Sequence, residues 1–164
     1  MRYPIILLGA SCFMLLPACA RAPEPEVEFD QAAEEAAVRN VLEGFKAAYN
    51  KHDAQAMPSF FSDEGIVLWR DDVTGGAAIE DVYTDMFDRN KDVRAEIVED
   101  FGIRFLTPTV AVWRGVVEYT GLLGADGEAL PPSTSQGALM IVKQEGQWRC
   151  AAMFEGPTEI PAST

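Results

Sequence analysis

Cysteine is scarce in this 164-residue chain, with Cys12, Cys19 and Cys150 the only three. After Cys19 only Cys150 is left, so a disulfide framework is excluded for any domain that follows. Histidine is scarcer still. His52 is the single one, and one histidine with one cysteine cannot assemble a usual zinc site. Basic charge is thin, with 13 Lys and Arg against 26 Asp and Glu, a formal net charge of -13. Such a surface repels phosphate backbones, so no nucleic-acid partner is expected. There is no Gly-rich phosphate loop, nucleophile elbow or Cys-His pairing, and neither a cofactor nor a metal is expected. No apolar run reaches the ~20 residues of a membrane-spanning helix.

The longest apolar run, Ile5 to Leu16, follows Arg2 and suits the core of a signal peptide. It ends in Leu16-Pro17-Ala18-Cys19, which resembles a bacterial lipobox. That resemblance implies a signal peptide over residues 1–18, cleavage before Cys19 and lipidation of its thiol. Such a chain is held on a membrane of the bacterial envelope, on its periplasmic face, by acyl chains. The segment RAPEPEVE, Arg21 to Glu28, carries two prolines and three glutamates. It reads as an extended charged spacer, so residues 19–28 form a lipidated linker.

Residues 29–156 read as one globular domain, large enough at about 130 residues to bury its own core. Ala33, Ala37, Val41, Phe45 and Ala48, with Val38, Leu42 and Tyr49 beside them, recur at helical spacing, and Asp30 is placed to cap them. Asp53 opens an expected short second helix through Phe61, with Pro58 limiting its length. Gly65 to Arg70 has strand composition. A third helix is expected from Ala77 to Asn90. Strands follow over Val93–Leu106, Val110–Thr120, Gln136–Lys143 and Gln147–Phe154, the last two joined at Glu145-Gly146. Residues 157–164 read as a flexible tail. Helices gathered ahead of an antiparallel meander define an α+β domain. Cys150, between apolar neighbours, reads as a small buried hydrophobe. The second face of the sheet also carries apolar residues, and a second copy of the domain is the simplest cover for it.

The motifs Tyr49-Asn50-Lys51-His52-Asp53, Phe60-Phe61-Ser62-Asp63-Glu64-Gly65, Gly76-Ala77-Ala78-Ile79, Val110-Ala111-Val112 and Gly146-Gln147-Trp148-Arg149 resemble those of SnoaL-like proteins in the nuclear transport factor 2-like superfamily, nearest the SgcJ/EcaC-type branch. The resemblance implies a cone-shaped fold, three N-terminal helices packed on a curved antiparallel sheet. It says little about activity, because the superfamily hosts enzymes and non-catalytic binders. Ketosteroid-isomerase-like members use a carboxylate base, a phenol and a carboxylic acid. The matching positions here fall on Trp69, Phe45 and Leu139, all apolar. The resemblance thus argues against that chemistry in this chain.

The same correspondence places Val67, Trp69, Trp113, Val117, Leu139 and Met153 toward the mouth of the cone, with Tyr83 and Phe87 from the third helix. Together they imply an aromatic, apolar pocket for a small molecule. Polar candidates are few. Glu155, just beyond the last expected strand, could act as a base if desolvated, and Tyr83 could act as a donor. In the SgcJ/EcaC-type branch a histidine often stands where Met153 does here. Arg114 and Glu118 are expected to pair on the dimer face, Asp71 and Asp72 to sit in a surface turn, and His52 to be structural. The expected role is a non-catalytic binding domain for an apolar or amphipathic ligand. The alternative is an isomerase, lyase or hydratase acting on a polyketide- or steroid-like molecule.

Overall fold

The computed structural model describes residues 29–68 and 72–157. The signal peptide, the lipidation site Cys19, the linker, Trp69, Asp71 and the tail beyond Pro157 lie outside these residues.

Helix α1 (Gln31–Asn50) starts where expected. The Asp30 carboxylate accepts hydrogen bonds from the backbone amides of Ala32 and Ala33, both at 3.1 Å. Such a cap satisfies donors that the first helical turn leaves orphaned. The buried seam runs through Val38, Leu42, Ala48 and Tyr49, while Ala33 at the start of the expected row is exposed. The second expected helix is a correction. Only a four-residue 3-10 turn forms, Met57–Phe60, with Pro58 at its start. Proline cannot donate in a helical ladder, and the chain enters a strand at once. Among the described residues two α-helices therefore pack on the sheet, and the second, α2 (Gly76–Arg89), follows two strands.

Those strands are β1 (Phe61–Leu68) and β2 (Asp72–Thr74). After α2 come β3 (Arg94–Thr107), β4 (Val110–Thr120), β5 (Ser133–Gln144) and β6 (Gln147–Pro157). Their order across one six-stranded sheet is β2-β1-β6-β5-β4-β3. All neighbours are antiparallel except β1 and β6, which run parallel. The β5–β6 hairpin turns on Glu145 (φ 51°) and Gly146 (φ 79°), the two positive dihedrals of a tight type I′ connection. Register shifts interrupt β3 at three points, between Ile97 and Glu99, Asp100 and Ile103, and Phe105 and Thr107. Such bulges bend a strand, and here they curve the sheet around the helices.

Side chains pin α1 across that concave face. Glu34 accepts from Lys143 Nζ at 2.5 Å and from Trp148 Nε1 at 2.6 Å. Arg39 donates to Asp100 at 2.7 Å. Asn50 exchanges two hydrogen bonds with the backbone of Ala95, at 2.9 and 2.8 Å. His52 is structural: Nε2 lies 2.9 Å from the Val93 carbonyl oxygen, and its ring stacks on Phe87 with centroids 4.9 Å apart. The core between these layers includes Val38, Met57, Ile79, Tyr83, Val93 and Ile141, with Cys150 buried among them. The opposite face carries Met140 and Phe154, 39% and 43% exposed. Arg114 does not pair with Glu118 there. Its guanidinium stands over the Phe101 ring, 5.8 Å from the centroid, and Glu118 faces Glu96 across β3.

Candidate functional site

Between α1 and the concave side of the sheet the packing leaves a hollow of about 50 Å³. Leu42, Phe45, Lys46 and Tyr49 of α1 form one wall, and Ala95 and Ile97 of β3 a second. The floor is sheet: Trp113, Val117 and Tyr119 of β4, Leu139 of β5, and Met153 and Glu155 of β6. Successive residues of a strand face opposite ways, so Trp113, Val117 and Tyr119 share a face by parity, as do Met153 and Glu155. The lining is overwhelmingly apolar. Lys46 turns its ammonium toward Glu43 (3.0 Å) and Glu96 (3.8 Å).

Trp113 occupies a prepared seat. Gly115 follows it on the same face of β4, and Gly137 lies opposite Gly115 on β5. A Cβ on Gly115 would fall 2.4 Å from the indole Cζ2, while one on Gly137 would stand 3.5 Å from Cζ3. The indole therefore lies across ground that two glycines leave bare. Its Nε1–H donates to Asp100 Oδ1 at 3.0 Å, and Asp100 is held in turn by Arg39 and by the Gly102 amide at 2.8 Å. Those three hydrogen bonds together hold the Asp100 carboxyl below the ordinary aspartate range, against an opposing contribution from burial that is the largest single influence.

The polar end of the hollow is Glu155. Tyr119 donates its hydroxyl to Glu155 Oε1 at 2.6 Å. Burial pushes the Glu155 carboxyl above the ordinary glutamate range, and the Tyr119 hydrogen bond partly opposes that. Burial likewise pushes the Tyr119 phenol well up, and the carboxylate beside it adds to the effect. Tyr49 and Tyr83 are raised by burial first, and then by the field of the same carboxylate. Tyr49 donates to the Met86 sulfur at 3.7 Å. Glu155 thus stands near three phenols as a part-buried acid able to hold or pass a proton, or to accept from a ligand.

Of the residues marked out in the sequence, Trp113, Val117, Leu139, Met153 and Glu155 come together around the hollow. Val67, Tyr83 and Phe87 do not line it. They are 0%, 1% and 5% exposed and form the core layer behind it. Trp69 lies outside the described residues. Of the α1 wall the sequence marked only Phe45, at the position matching the isomerase phenol; Leu42, Lys46, Tyr49 and, on β4, Tyr119 escaped the sequence reading. The signal for Tyr119 was present, because it continues the parity of Trp113 and Val117 by one more step. Asp100 carried no such signal, since it sits where bulges break the alternation of β3. Among the described residues no group of His, Cys, Asp and Glu is arranged to hold a metal ion. No helix among them is long and apolar enough to cross a membrane.

Helices packed on one face of a curved sheet make a fold shared widely among solved proteins. The model of the SnoaL-like domain family matches residues 38–153, and the chain belongs to that family. An uncharacterised protein with a cystatin-like fold from Caulobacter vibrioides superposes with a TM-score of 0.69 at 20% identity, over 78% of this chain and 92% of its own. A ketosteroid isomerase-like protein from Erwinia carotovora gives 0.63 at 22% identity, covering 77% and 98%. A protein named as a candidate aromatic ring hydroxylase from Novosphingobium aromaticivorans gives 0.69 at 15%, covering 79% and 92%. At these identities the likeness is one of fold alone. A comparison with curated proteins yields no match.

Proposed function

We propose that this SnoaL-like chain is a binding domain for a small, mostly apolar molecule with one polar end, held in the hollow between α1 and the sheet. The observation that carries the reading is the lining itself: a dozen residues, mostly apolar, around a single part-buried carboxyl–phenol pair. A pocket of this make-up gains affinity from apolar burial and orientation from the one polar group. Binding without turnover is favoured because Phe45 and Leu139, the positions that match isomerase donors, contribute only hydrocarbon to the wall. The hollow is also far smaller than a fused-ring molecule, so enclosing one requires side chains to move. Native mass spectrometry of protein purified from its own envelope is expected to show a retained ligand. Ala95→Leu, which fills the hollow, is expected to lose it while keeping its circular dichroism. A ligand kept by the filled variant refutes the assignment of the site.

A second reading, proton transfer by Glu155 in an isomerase, lyase or hydratase, is favoured by one observation, a carboxyl bordering the hollow that burial holds above the ordinary glutamate range. Tyr83 supports it less, since it stands behind the wall. Substrate turnover that survives Glu155→Gln excludes that reading.

We also place the chain nearest the SgcJ/EcaC-type branch on its motifs, and on a membrane of the bacterial envelope through Cys19, on the strength of the lipobox-like Leu16-Pro17-Ala18-Cys19. Fractionation tests the second point: Cys19→Ser is expected to move the protein out of the membrane fraction. Pairing of two copies through the outer sheet face is supported by the exposure of Met140 and Phe154. A monomeric mass in sedimentation overturns it.

A further inference from the structure

Glu155 presents an imbalance that the binding reading leaves open. Its one hydrogen-bond partner among the described residues is the neutral phenol of Tyr119, which engages Oε1. No ion pair among those residues includes Glu155. The cation in the lining, Lys46, is committed to Glu43 and Glu96. Arg114 lies on strand parity opposite to Trp113 and is engaged with Phe101. A carboxylate at the part-buried end of an apolar hollow is desolvated at a cost when no counter-charge faces it, and a neutral donor satisfies its lone pairs without compensating its charge.

The surroundings supply what such a group lacks. Phe45, Tyr49, Trp113 and Tyr119 border the hollow, and the Tyr49 and Tyr119 rings are 6.0 Å apart. Ring faces carry negative charge density and attract cations, more strongly when water is excluded. The hollow, at about 50 Å³, has room for a few non-hydrogen atoms. That suits a compact head group, with the rest of the molecule reaching toward the rim. The net charge of -13 draws cations to the surface and repels anions.

We propose that the polar end of the bound molecule is a cation, a bare or methylated ammonium on an alkyl or aryl tail, seated against Glu155 inside the ring of Tyr49, Trp113 and Tyr119. This rests on the binding reading above and narrows it. The ammonium donates to Glu155 Oε2 while Tyr119 keeps Oε1, and the aromatic faces take up the remaining positive charge.

The test uses three probes of one size, n-butylammonium, n-butanol and butyrate, titrated into the whole chain by calorimetry near neutral pH. Butylammonium is expected to bind about tenfold more tightly than butanol, and butyrate not at all. Glu155→Gln is expected to erase the preference for the ammonium and leave butanol binding in place. Ala95→Leu is expected to lose both. Butanol binding as tightly as butylammonium, or a preference that survives Glu155→Gln, overturns the cation while leaving the hollow as a binding site. If none of the probes binds and native mass spectrometry also finds the hollow empty, both readings fall.

Discussion

Alanine placed at two facing glycines has opposite consequences in this sheet. Gly115 and Gly137 are register partners on β4 and β5, both beneath the Trp113 indole. At Gly115 a Cβ would meet the indole at 2.4 and 2.9 Å and the Glu99 carbonyl oxygen at 2.6 Å. The ring cannot swing aside without breaking its hydrogen bond to Asp100, and the carbonyl is backbone. Overpacking of this kind costs about 1–3 kcal/mol. At Gly137 the nearest atom is 3.5 Å away, an ordinary contact. There alanine removes the entropy that a strand glycine loses on folding, a gain of about 0.5–1 kcal/mol. At roughly 4 °C per kcal/mol for a domain of this size, Gly115→Ala lowers Tm by about 4–12 °C while Gly137→Ala leaves it level or raises it slightly. Thermal unfolding followed by far-ultraviolet circular dichroism reads both. Equal losses at the two positions, or an unchanged Tm for Gly115→Ala, refute the seat described for Trp113.

Two further outcomes follow from buried ionisable groups. The Glu155 carboxyl is raised in the folded state, so folding holds its proton more tightly than the unfolded chain does. That contribution is complete below the ordinary glutamate value of 4.5 and is lost as pH rises through the folded value. Glu155→Gln, which never ionises and still accepts from Tyr119, should therefore gain stability over the parent on going from about pH 4 to about pH 8 in paired melting curves. A gap that shrinks over that range contradicts the burial of the charge. Cys150, 1% exposed, has its thiol pushed up to about 12 by burial. It should resist an aromatic disulfide reagent in the native protein and react at once in denaturant; fast native reaction contradicts its place in the core.

The features legible in the sequence were those decided by neighbouring residues. Asp30 caps α1, Glu145-Gly146 turns the last hairpin, and Val110–Thr120 is a strand, all because local chemistry leaves little choice. The second helix was expected from the Asp53 cap, while Pro58 and the immediate entry into β1 allow only one tight turn. The site was half legible. Strand parity finds Trp113, Val117, Leu139 and Met153 without reference to anything distant. The α1 wall depends on how the helix rolls against the sheet, and that is fixed by Glu34, Arg39 and Asn50 reaching residues 109, 61 and 45 positions away. Nothing near those residues announces their partners. Tyr83 and Phe87 were assigned to the pocket because aromatic composition alone does not distinguish a wall from the filling behind it.

The strand order has a consequence for how the molecule comes into being. β6 is the last strand in the chain, yet it lies inside the sheet between β1 and β5. Until it arrives, β1 and β2 have no sheet to join, and the meander of β3, β4 and β5 ends in a raw edge. Closure pairs Phe61 with Cys150 across most of the domain's length. Contacts so distant along the chain form slowly. A ribosome must finish nearly the whole domain before the two halves of the sheet can be joined.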